Sequence, residues 1–327
     1  MPRALAMLSG GLDSVLAAKL IKDQGIDVIG ICFKSYFFNE DNAIKMARQI
    51  DIPLEVLDIS KEHFEMVKNP KYGYGKNINP CIDCHSMMFR IAGELLEKFK
   101  ADFIITGEVL NQRPMSQNRN ALDIVKKESK FQDKILRPLC AKRLEPTVME
   151  LEGLVDRNKL LDINGRGRKA QMELAKSFNI VDYPSPAGGC KLTEPNYSIR
   201  LKDLLNNDKN ISEKDILLLK FGRHFRSSSD SKIVSTRTQD EYNEVYKLLT
   251  EEDLIFITEN FKGSTIIVVG NPCKEDIYIA SKICARYSKA TNDLIVSVKY
   301  GRFKSDLNEK IQVTPATNEE IQKYILV

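Results

Sequence analysis

Across residues 1–110 the chain alternates short, β-rich apolar runs with segments of helical periodicity, and this alternation restricts the fold more than any other feature. Residues 4–8, 27–33, 54–59 and 101–106 read as strands, and residues 13–22, 42–50 and 86–99 as helices. Strands joined through helices pair in parallel by right-handed crossovers, so the spacing predicts an α/β domain whose parallel sheet is covered on both faces. Residues 111–134 lose the pattern and are expected to form a long functional loop or inserted element, followed by helices over 145–161 and 168–179.

Residues 182–195 concentrate three prolines and two glycines, a turn-rich break that sets the expected domains at 1–195 and 196–327. The second is expected to be a smaller α+β domain. Its helices are expected over 199–220, 239–250 and 274–288, and its strands over 232–236, 253–258, 264–269 and 293–300, the last completing the unit.

A composition of 43% hydrophobic and 29% charged residues excludes disordered, collagen-like and coiled-coil chains. No run of about 18 apolar residues occurs, and residues 1–8 lead straight into a glycine-rich loop, leaving no room for a cleavable signal. A cytoplasmic protein with no membrane partner is expected. The net charge of +4 is too small to argue for nucleic acid, which has to be argued from local patches.

The strongest local signal is Ser9-Gly10-Gly11-Leu12-Asp13-Ser14, between the first strand and the first helix. Glycines let the backbone approach an anion closely, and a helix N-terminus offers free N–H groups and the positive end of its dipole. Ser9 and Ser14 add hydroxyls, and Asp13 can hold the Mg²⁺ that accompanies a triphosphate. The hexapeptide lacks the Gly-Lys-Ser/Thr of a Walker loop and resembles the PP-loop of the ATP pyrophosphatases. These adenine nucleotide alpha hydrolase-like enzymes cleave ATP between its α and β phosphates and activate a substrate oxygen as an adenylate. Thr106-Gly107-Glu108-Val109-Leu110-Asn111-Gln112 and Ile135-Leu136-Arg137-Pro138-Leu139 are similar to the tRNA 4-thiouridine synthetase branch, the likeness covering residues 4–180. It implies ATP held by Ser9, Gly10, Gly11, Asp13, Ser14, Thr106 and Gly107, with Phe33 and Lys34 near the adenosine. Members of that branch usually carry an RNA-binding domain ahead of the catalytic fold, and some a rhodanese-like sulfur carrier behind it. RNA capture and sulfur supply are therefore expected to be solved differently here.

Seven cysteines in a chain of this kind suit metal or redox chemistry better than disulfides. Cys81 and Cys84 lie three positions apart at an expected helix start, where the dipole favours thiolate. Cys190 follows Pro186-Ala187-Gly188-Gly189, small residues that let the backbone fold closely round a bulky group. Three thiolates are too few for an unaided structural zinc site and suit a 4Fe-4S cluster with one open iron. The set is similar to that of cluster-dependent tRNA thiolases, a resemblance that makes Cys81, Cys84 and Cys190 the ligands. Three other readings stay open: a persulfide and resolving pair at Cys84 and Cys190, a zinc site completed by His85, and plain structural cysteines. Cys32, Cys140, Cys273 and Cys284 read as inert core thiols, and His63 and His224 as structural.

Residues 113–143 hold nine basic and three acidic side chains, and Asn164-Gly165-Arg166-Gly167-Arg168-Lys169 forms a second basic patch. A polyanion fits such patches, with Arg113, Arg166, Arg168 and Lys169 the candidate contacts. Phe221-Gly222-Arg223-His224-Phe225-Arg226, Lys262-Gly263-Ser264-Thr265, Ala285-Arg286-Tyr287-Ser288 and Val296-Ser297-Val298-Lys299-Tyr300 look in that order like the RNA-binding domain of NFACT proteins. That resemblance adds Arg223 and Arg226 as RNA contacts. The expected function is ATP-dependent tRNA thiolation, with Asp13, Cys84 and Cys190 catalytic and sulfur from sulfide or a cysteine-desulfurase-derived donor. The alternatives are a sulfurtransferase acting on a small molecule and a non-catalytic RNA-binding protein.

Overall fold

The computed structural model describes residues 1–185, 189–228, 231–291 and 293–327, with the side chain of Ser228 excepted. Pro186, Ala187 and Gly188, part of the turn ahead of Cys190, lie outside the described residues. The chain forms two compact units, Met1–Thr193 and Glu194–Val327.

In the first unit the elements run β1 (Arg3–Met7), α1 (Leu12–Lys22), β2 (Asp27–Lys34), α2 (Asp41–Gln49), β3 (Leu54–Asp58), α3 (Ser60–Lys68) and α4 (Cys81–Glu94). They continue with β4 (Phe103–Thr106), α5 (Arg119–Glu128), β5 (Ile135–Leu136), α6 (Val148–Leu151) and α7 (Lys169–Ser177). The five strands are all parallel in the order β3-β2-β1-β4-β5. Strands alternate their side chains between faces, which makes two apolar layers. On one face Ala4, Ala6, Phe103 and Ile105 meet α1, α2 and α7. On the other, Leu5, Ile31 and Ile104 meet Phe89 and Ala92 of α4 and Val125 of α5.

The strand order reverses beside β1, since β2 lies on one side of it and β4 on the other. In open parallel sheets such a switch point opens a crevice at the carboxyl ends of the strands. Here two glycines allow the close approaches that shape it. Gly10 has φ +76°, and a Cβ on it would lie 2.5 Å from Asn42 Cβ at the start of α2. A Cβ on Gly107, just past β4, would lie 2.4 Å from the Ser14 nitrogen.

Of the two readings of residues 111–134, the inserted element holds: Asn118 caps α5 by accepting from Ala121 N at 2.9 Å, and Ala121, Leu122 and Val125 bury its apolar stripe. The helix α3 was not anticipated, and one further expectation needs correction. Residues 145–161 do not make one long helix. Thr147 and Glu150 form a capping box over the four-residue α6, and Arg157 then turns back to bond the Ala141 and Leu144 carbonyls. The polar contacts of this stretch thus pin a loop instead of extending a helix.

The second unit contains α8 (Pro195–Asn207), α9 (Glu213–Leu218), β6 (Arg223–Ser228), β7 (Ser231–Ser235), α10 (Gln239–Tyr246) and β8 (Leu254–Thr258). After these come β9 (Ile266–Gly270), α11 (Lys274–Arg286), β10 (Val296–Arg302), β11 (Glu309–Val313) and α12 (Asn318–Tyr324). Its six-stranded sheet has the order β11-β10-β8-β9-β7-β6, with every pairing antiparallel. Phe256, Ile266 and Val268 face α11, whereas Ile255, Ile267 and Val269 face Leu218, Val245 and Leu249. The helix expected over 199–220 is divided at the extended Asp208, and β6, β11 and α12 were not anticipated. Asp208 is drawn into a buried charge cluster. Arg226 pairs with Asp203 at 2.6 Å and Asp208 at 3.2 Å, while Lys232 lies 3.8 Å from Asp208 and 3.6 Å from Asp215. These pairs tie α8 and α9 to β6 and β7. After α12, Leu326 N donates to His224 O at 2.8 Å, and Ile325 forms a bridge with Phe225. No helix of the described residues is long and apolar enough to cross a membrane.

His224 is fully buried with Nε2 2.9 Å from the Phe221 carbonyl. Burial first, then the charges of Arg200 and Lys232, holds its pKa down at about 3. The unfolded imidazole takes up a proton near pH 6.5 and the folded one does not, so stability present above that pH is lost as the pH falls. Between about pH 7.5 and about pH 5.5 the group should remove about 1.4 kcal/mol from the folded state. Denaturant unfolding of wild type beside His224→Gln should show their stability gap narrowing by that amount, and a constant gap would refute the assignment.

Candidate active site

The phosphate-loop residues sit where the sheet's order reverses. Gly11 is the extended N-cap of α1, Ser14 Oγ donates to Gly11 O at 2.8 Å, and Ser9 Oγ lies 3.4 Å from both Ser14 Oγ and Gly11 N. The loop and the first turn of α1 therefore present N–H groups at the crevice. Thr106 is buried at the end of β4 and Gly107 lies against α1, as above. Phe33 belongs to the apolar cluster with Leu5 and Ile31 and is buried there, while Lys34 lies near Glu40 and Asp58.

Asp13 is the most informative group in the loop. Gln112 Nε2 donates to its Oδ2 at 2.5 Å, and Gln171 Nε2 of α7 donates to Gln112 Oε1 at 2.9 Å. Burial pushes the carboxyl above its ordinary value, opposed by the Gln112 hydrogen bond and the charges of Arg168 and Arg113. Among the described residues Asp13 Oδ1, Gln171 Oε1 and Arg168 Nε are buried with no hydrogen-bond partner. Orphaned buried polar atoms are costly and rare in native proteins. A carboxylate oxygen left open beside a helix N-terminus and cationic side chains fits a nucleotide phosphate with its Mg²⁺.

The thiols are held by a second set of contacts. Cys81 is the first residue of α4, and Asn79 Nδ2 donates to its Sγ at 3.1 Å. Asp83, between the two cysteines, faces inward and accepts from Lys71 N at 2.8 Å and Tyr72 N at 3.1 Å, fixing the loop that leads into the helix. Cys84 Sγ lies 3.2 Å from Nε2 of the fully buried His63, whose Nδ1 lies 3.1 Å from Ser35 Oγ. Phe37 and Phe38 pack edge-on against that imidazole. The Cys190 segment is pinned by Lys191 N donating to Phe37 O at 2.9 Å and Asn77 Nδ2 to Thr193 O at 2.6 Å.

Three thiols are thereby brought within electrostatic range of one another. Burial first, then Cys190, Cys81 and Asp83, pushes Cys84 well above the usual thiol range. Cys190 is pushed up to about 11, again by burial, with Arg113 among the groups that oppose the rise. Burial likewise lowers His63 to about 4, so the Cys84–His63 pair is a neutral thiol and a neutral imidazole. Arg113 acts on both Asp13 and Cys190 and so links the phosphate loop to the thiols.

The fit to a metal centre is poorer than the fit to a nucleotide. Among the described residues no three His, Cys, Asp or Glu side chains are gathered closely enough to hold a metal ion. As placed, Cys81, Cys84 and Cys190 do not present a ready ligand set for the 4Fe-4S cluster expected from the sequence. His85 is not turned to the thiols, because its Nδ1 pairs with the buried Glu108 at 2.8 Å. Glu108 in turn accepts from Arg137 Nε at 2.9 Å; burial opposes its ionisation, but Arg137 and His85 hold its carboxyl below the usual range.

Other expected residues are distributed as follows. Arg168 and Arg113 are brought to Asp13, whereas Arg166 and Lys169 are exposed. In the second unit Arg223 stacks 4.8 Å over the Tyr287 ring. Arg226 is a correction: with its side chain 12% exposed and bound to Asp203 and Asp208, it is committed to holding helices to the sheet and is not available to RNA. Cys32, Cys140 and Cys284 are buried as expected, but Cys273 is exposed at the N-cap of α11. His63 was read from sequence as structural, and Gln171 and Asn79 were not singled out. His63 and Gln171 meet their partners only through tertiary packing, whereas Asn79 bonds Cys81 two residues on, a local signal that the Asn79-Pro80-Cys81 run carried.

Residues 2–163 match the family model described as the tRNA methyl transferase HUP domain, and residues 222–325 match the NFACT protein RNA binding domain. The tRNA-specific 2-thiouridylase MnmA of Karelsulcia muelleri is 27% identical over 55% of this chain and 48% of its own length. That of Listeria monocytogenes is 27% identical over 62% of this chain and 56% of its own length. The chain thus spans about half the length of the curated relatives it matches. A solved 4-thiouridine synthetase–RNA complex with bound ATP aligns at 21% identity over 42% of this chain and 36% of that chain, with a TM-score of 0.35.

The thiol chemistry is open to a direct check. A thiol at about 11 is ionised in roughly one molecule in several thousand at about pH 7.5. Brief iodoacetamide treatment of native protein, read by peptide mass spectrometry, should therefore label exposed Cys273 well before Cys84 or Cys190. Labelling in the opposite order would show that the native site holds thiolates. Taken with the parallel sheet and the phosphate loop at its switch point, the family match makes residues 2–163 a PP-loop domain of the HUP type.

Proposed function

We propose that the chain thiolates a uridine of tRNA at the expense of ATP, by adenylating a carbonyl oxygen and then delivering sulfur. The observation that carries this reading is the pairing, in one unit, of a phosphate loop with three clustered thiols, with Arg113 acting on both. The relatives named above are tRNA-specific 2-thiouridylases, which favours the C2 carbonyl as the acceptor. The match of residues 222–325 to an RNA-binding domain supports the second unit as the tRNA holder, with Arg223 a candidate contact and Arg166 and Lys169 candidates on the first unit.

In this scheme Ser9, Gly10, Gly11, Ser14 and Gly107 hold the triphosphate, and Mg²⁺ at Asp13 neutralises its charge when bound. The uridine oxygen attacks the α-phosphorus and pyrophosphate leaves, with Arg113 and Arg168 offsetting the charge that develops. Cys190 receives a sulfur atom as a persulfide from a persulfide donor. Its terminal sulfur attacks the adenylated carbon and AMP departs. Cys84 then attacks the inner sulfur, giving a Cys84–Cys190 disulfide and the thiocarbonyl, with His63 accepting the Cys84 proton. A dithiol reductant restores the two thiols.

A second reading, in which Cys81, Cys84 and Cys190 would together hold a 4Fe-4S cluster after a local rearrangement, is favoured by one observation. Cys81 acts electrostatically on both other thiols, and a two-cysteine mechanism gives it no task.

The deciding experiment combines iron and sulfide assay of anaerobically purified protein with tRNA thiolation by alanine variants at Asp13, Cys81, Cys84 and Cys190. Asp13→Ala and Cys190→Ala should each lower thiolation about a hundredfold or more. Iron-free protein in which Cys81→Ala stays active supports the persulfide route. About four irons per chain in the wild type, lost with activity in all three cysteine variants, supports the cluster. Undiminished thiolation by Asp13→Ala or Cys190→Ala sinks both.

A further inference from the structure

We propose that Gln112 and Gln171 form a two-amide relay that orients Asp13 toward the divalent cation of a bound nucleoside triphosphate. This rests on the nucleotide-binding part of the function proposed above and adds positioning residues to it, one of them on a helix that lies beyond residues 2–163.

The direction of the relay is forced by chemistry. An ionised carboxylate only accepts hydrogen bonds, so the Gln112 group 2.5 Å from Asp13 Oδ2 must be its NH₂. Gln112 Oε1 then points away and must accept, which fixes the Gln171 group 2.9 Å from it as an NH₂ in turn. Gln171 is thereby left with its own carbonyl oxygen free. That residue is fully buried, and among the described residues neither its Oε1 nor Asp13 Oδ1 has a partner. Each link has one orientation, and the chain ends in two unsatisfied acceptors. Two acceptor oxygens suit a cation or the water shell it carries, whereas the phosphates are met by the N–H groups of the loop and by Arg168.

The fold supplies the reason for the relay. Asp13 is in the first turn of α1, Gln112 lies in the loop following β4, and Gln171 is in the first turn of α7. α7 packs on α1 through Ala175, with Lys19 over the Phe178 ring at 5.6 Å, so Gln171 is held by a rigid element. A flexible loop residue alone would leave the Asp13 side chain free to rotate. Gln171 also bears on the Asp13 carboxyl directly as a hydrogen-bond donor, so α7 fixes the Asp13 side chain both through Gln112 and by itself.

The test is ATP binding by titration calorimetry across a series of Mg²⁺ concentrations, which requires no RNA and no sulfur. Gln171→Met and Gln112→Met should each raise the Mg²⁺ midpoint for ATP binding about tenfold or more, with ATP binding in EDTA changed less than about twofold. Because the two amides act on one carboxylate and partly through each other, the double variant should lose less than the product of the two single effects. Gln112 is only half-buried, so Gln112→Met remains informative if Gln171→Met does not fold. An unchanged Mg²⁺ midpoint, effects that multiply in the double variant, or equal loss of Mg²⁺-free binding would each overturn the relay. Wild-type protein that binds no ATP with Mg²⁺ would overturn both the relay and the adenylation reading. A relay that behaves as expected in a protein that thiolates no tRNA would overturn the thiolation reading alone.

Discussion

The closeness of Gly107 to the first turn of α1 is the constraint from which the rest of the first unit follows. A strand end can approach a helix N-terminus this nearly only without a Cβ, and the approach brings the loop after β4 over the phosphate loop. Asp13, Gln112 and Arg113 then meet within one crevice, although 99 residues separate Asp13 from Gln112. Because β1 lies between β2 and β4, the same reversal of strand order leaves the carboxyl end of β1 uncovered by a neighbouring crossover.

The thiol site depends on a different economy of contacts. Its cysteines come from the start of α4 and from a segment just past residue 189, and short hydrogen bonds to Phe37 and Asn77 fasten the latter. Buried thiols resist ionisation, so the site trades spontaneous reactivity for protection. Stray alkylation and oxidation both follow thiolate character, so burial shields these cysteines from both.

Much of the first unit was legible in sequence because its signals are local. Alternating β-rich and helical runs located β1 to β4 and the helices α1, α2 and α4 to within about five residues but missed α3, and the glycine-rich hexapeptide fell at the strand–helix junction where such loops sit. The same locality explains the misses. Residues 111–134 looked polar because α5 buries only a narrow stripe, and residues 145–161 looked helical because Glu150 and Arg157 are good helix formers that are used here to pin a loop. Arg226 looked like a surface cation, and only the strand-to-helix packing reveals the two aspartates it faces. His63 had no companion in sequence, since Cys84 reaches it through the packing of α3 beside α4.

The second unit's sheet carries a further consequence in its two edges. An open antiparallel sheet offers unpaired N–H and C=O groups along each outer strand, a template onto which another sheet can add. On the β6 side the backbone of residues 325–326 occupies part of that template, through the Phe225–Ile325 bridge and the bond from Leu326 to His224. On the β11 side the strand is only five residues long, and it places Glu309 and Lys310 at the rim, where an incoming strand would have to desolvate both charges. One edge is partly occupied by the chain itself and the other guarded by charge, so neither offers a full strand's length of open template.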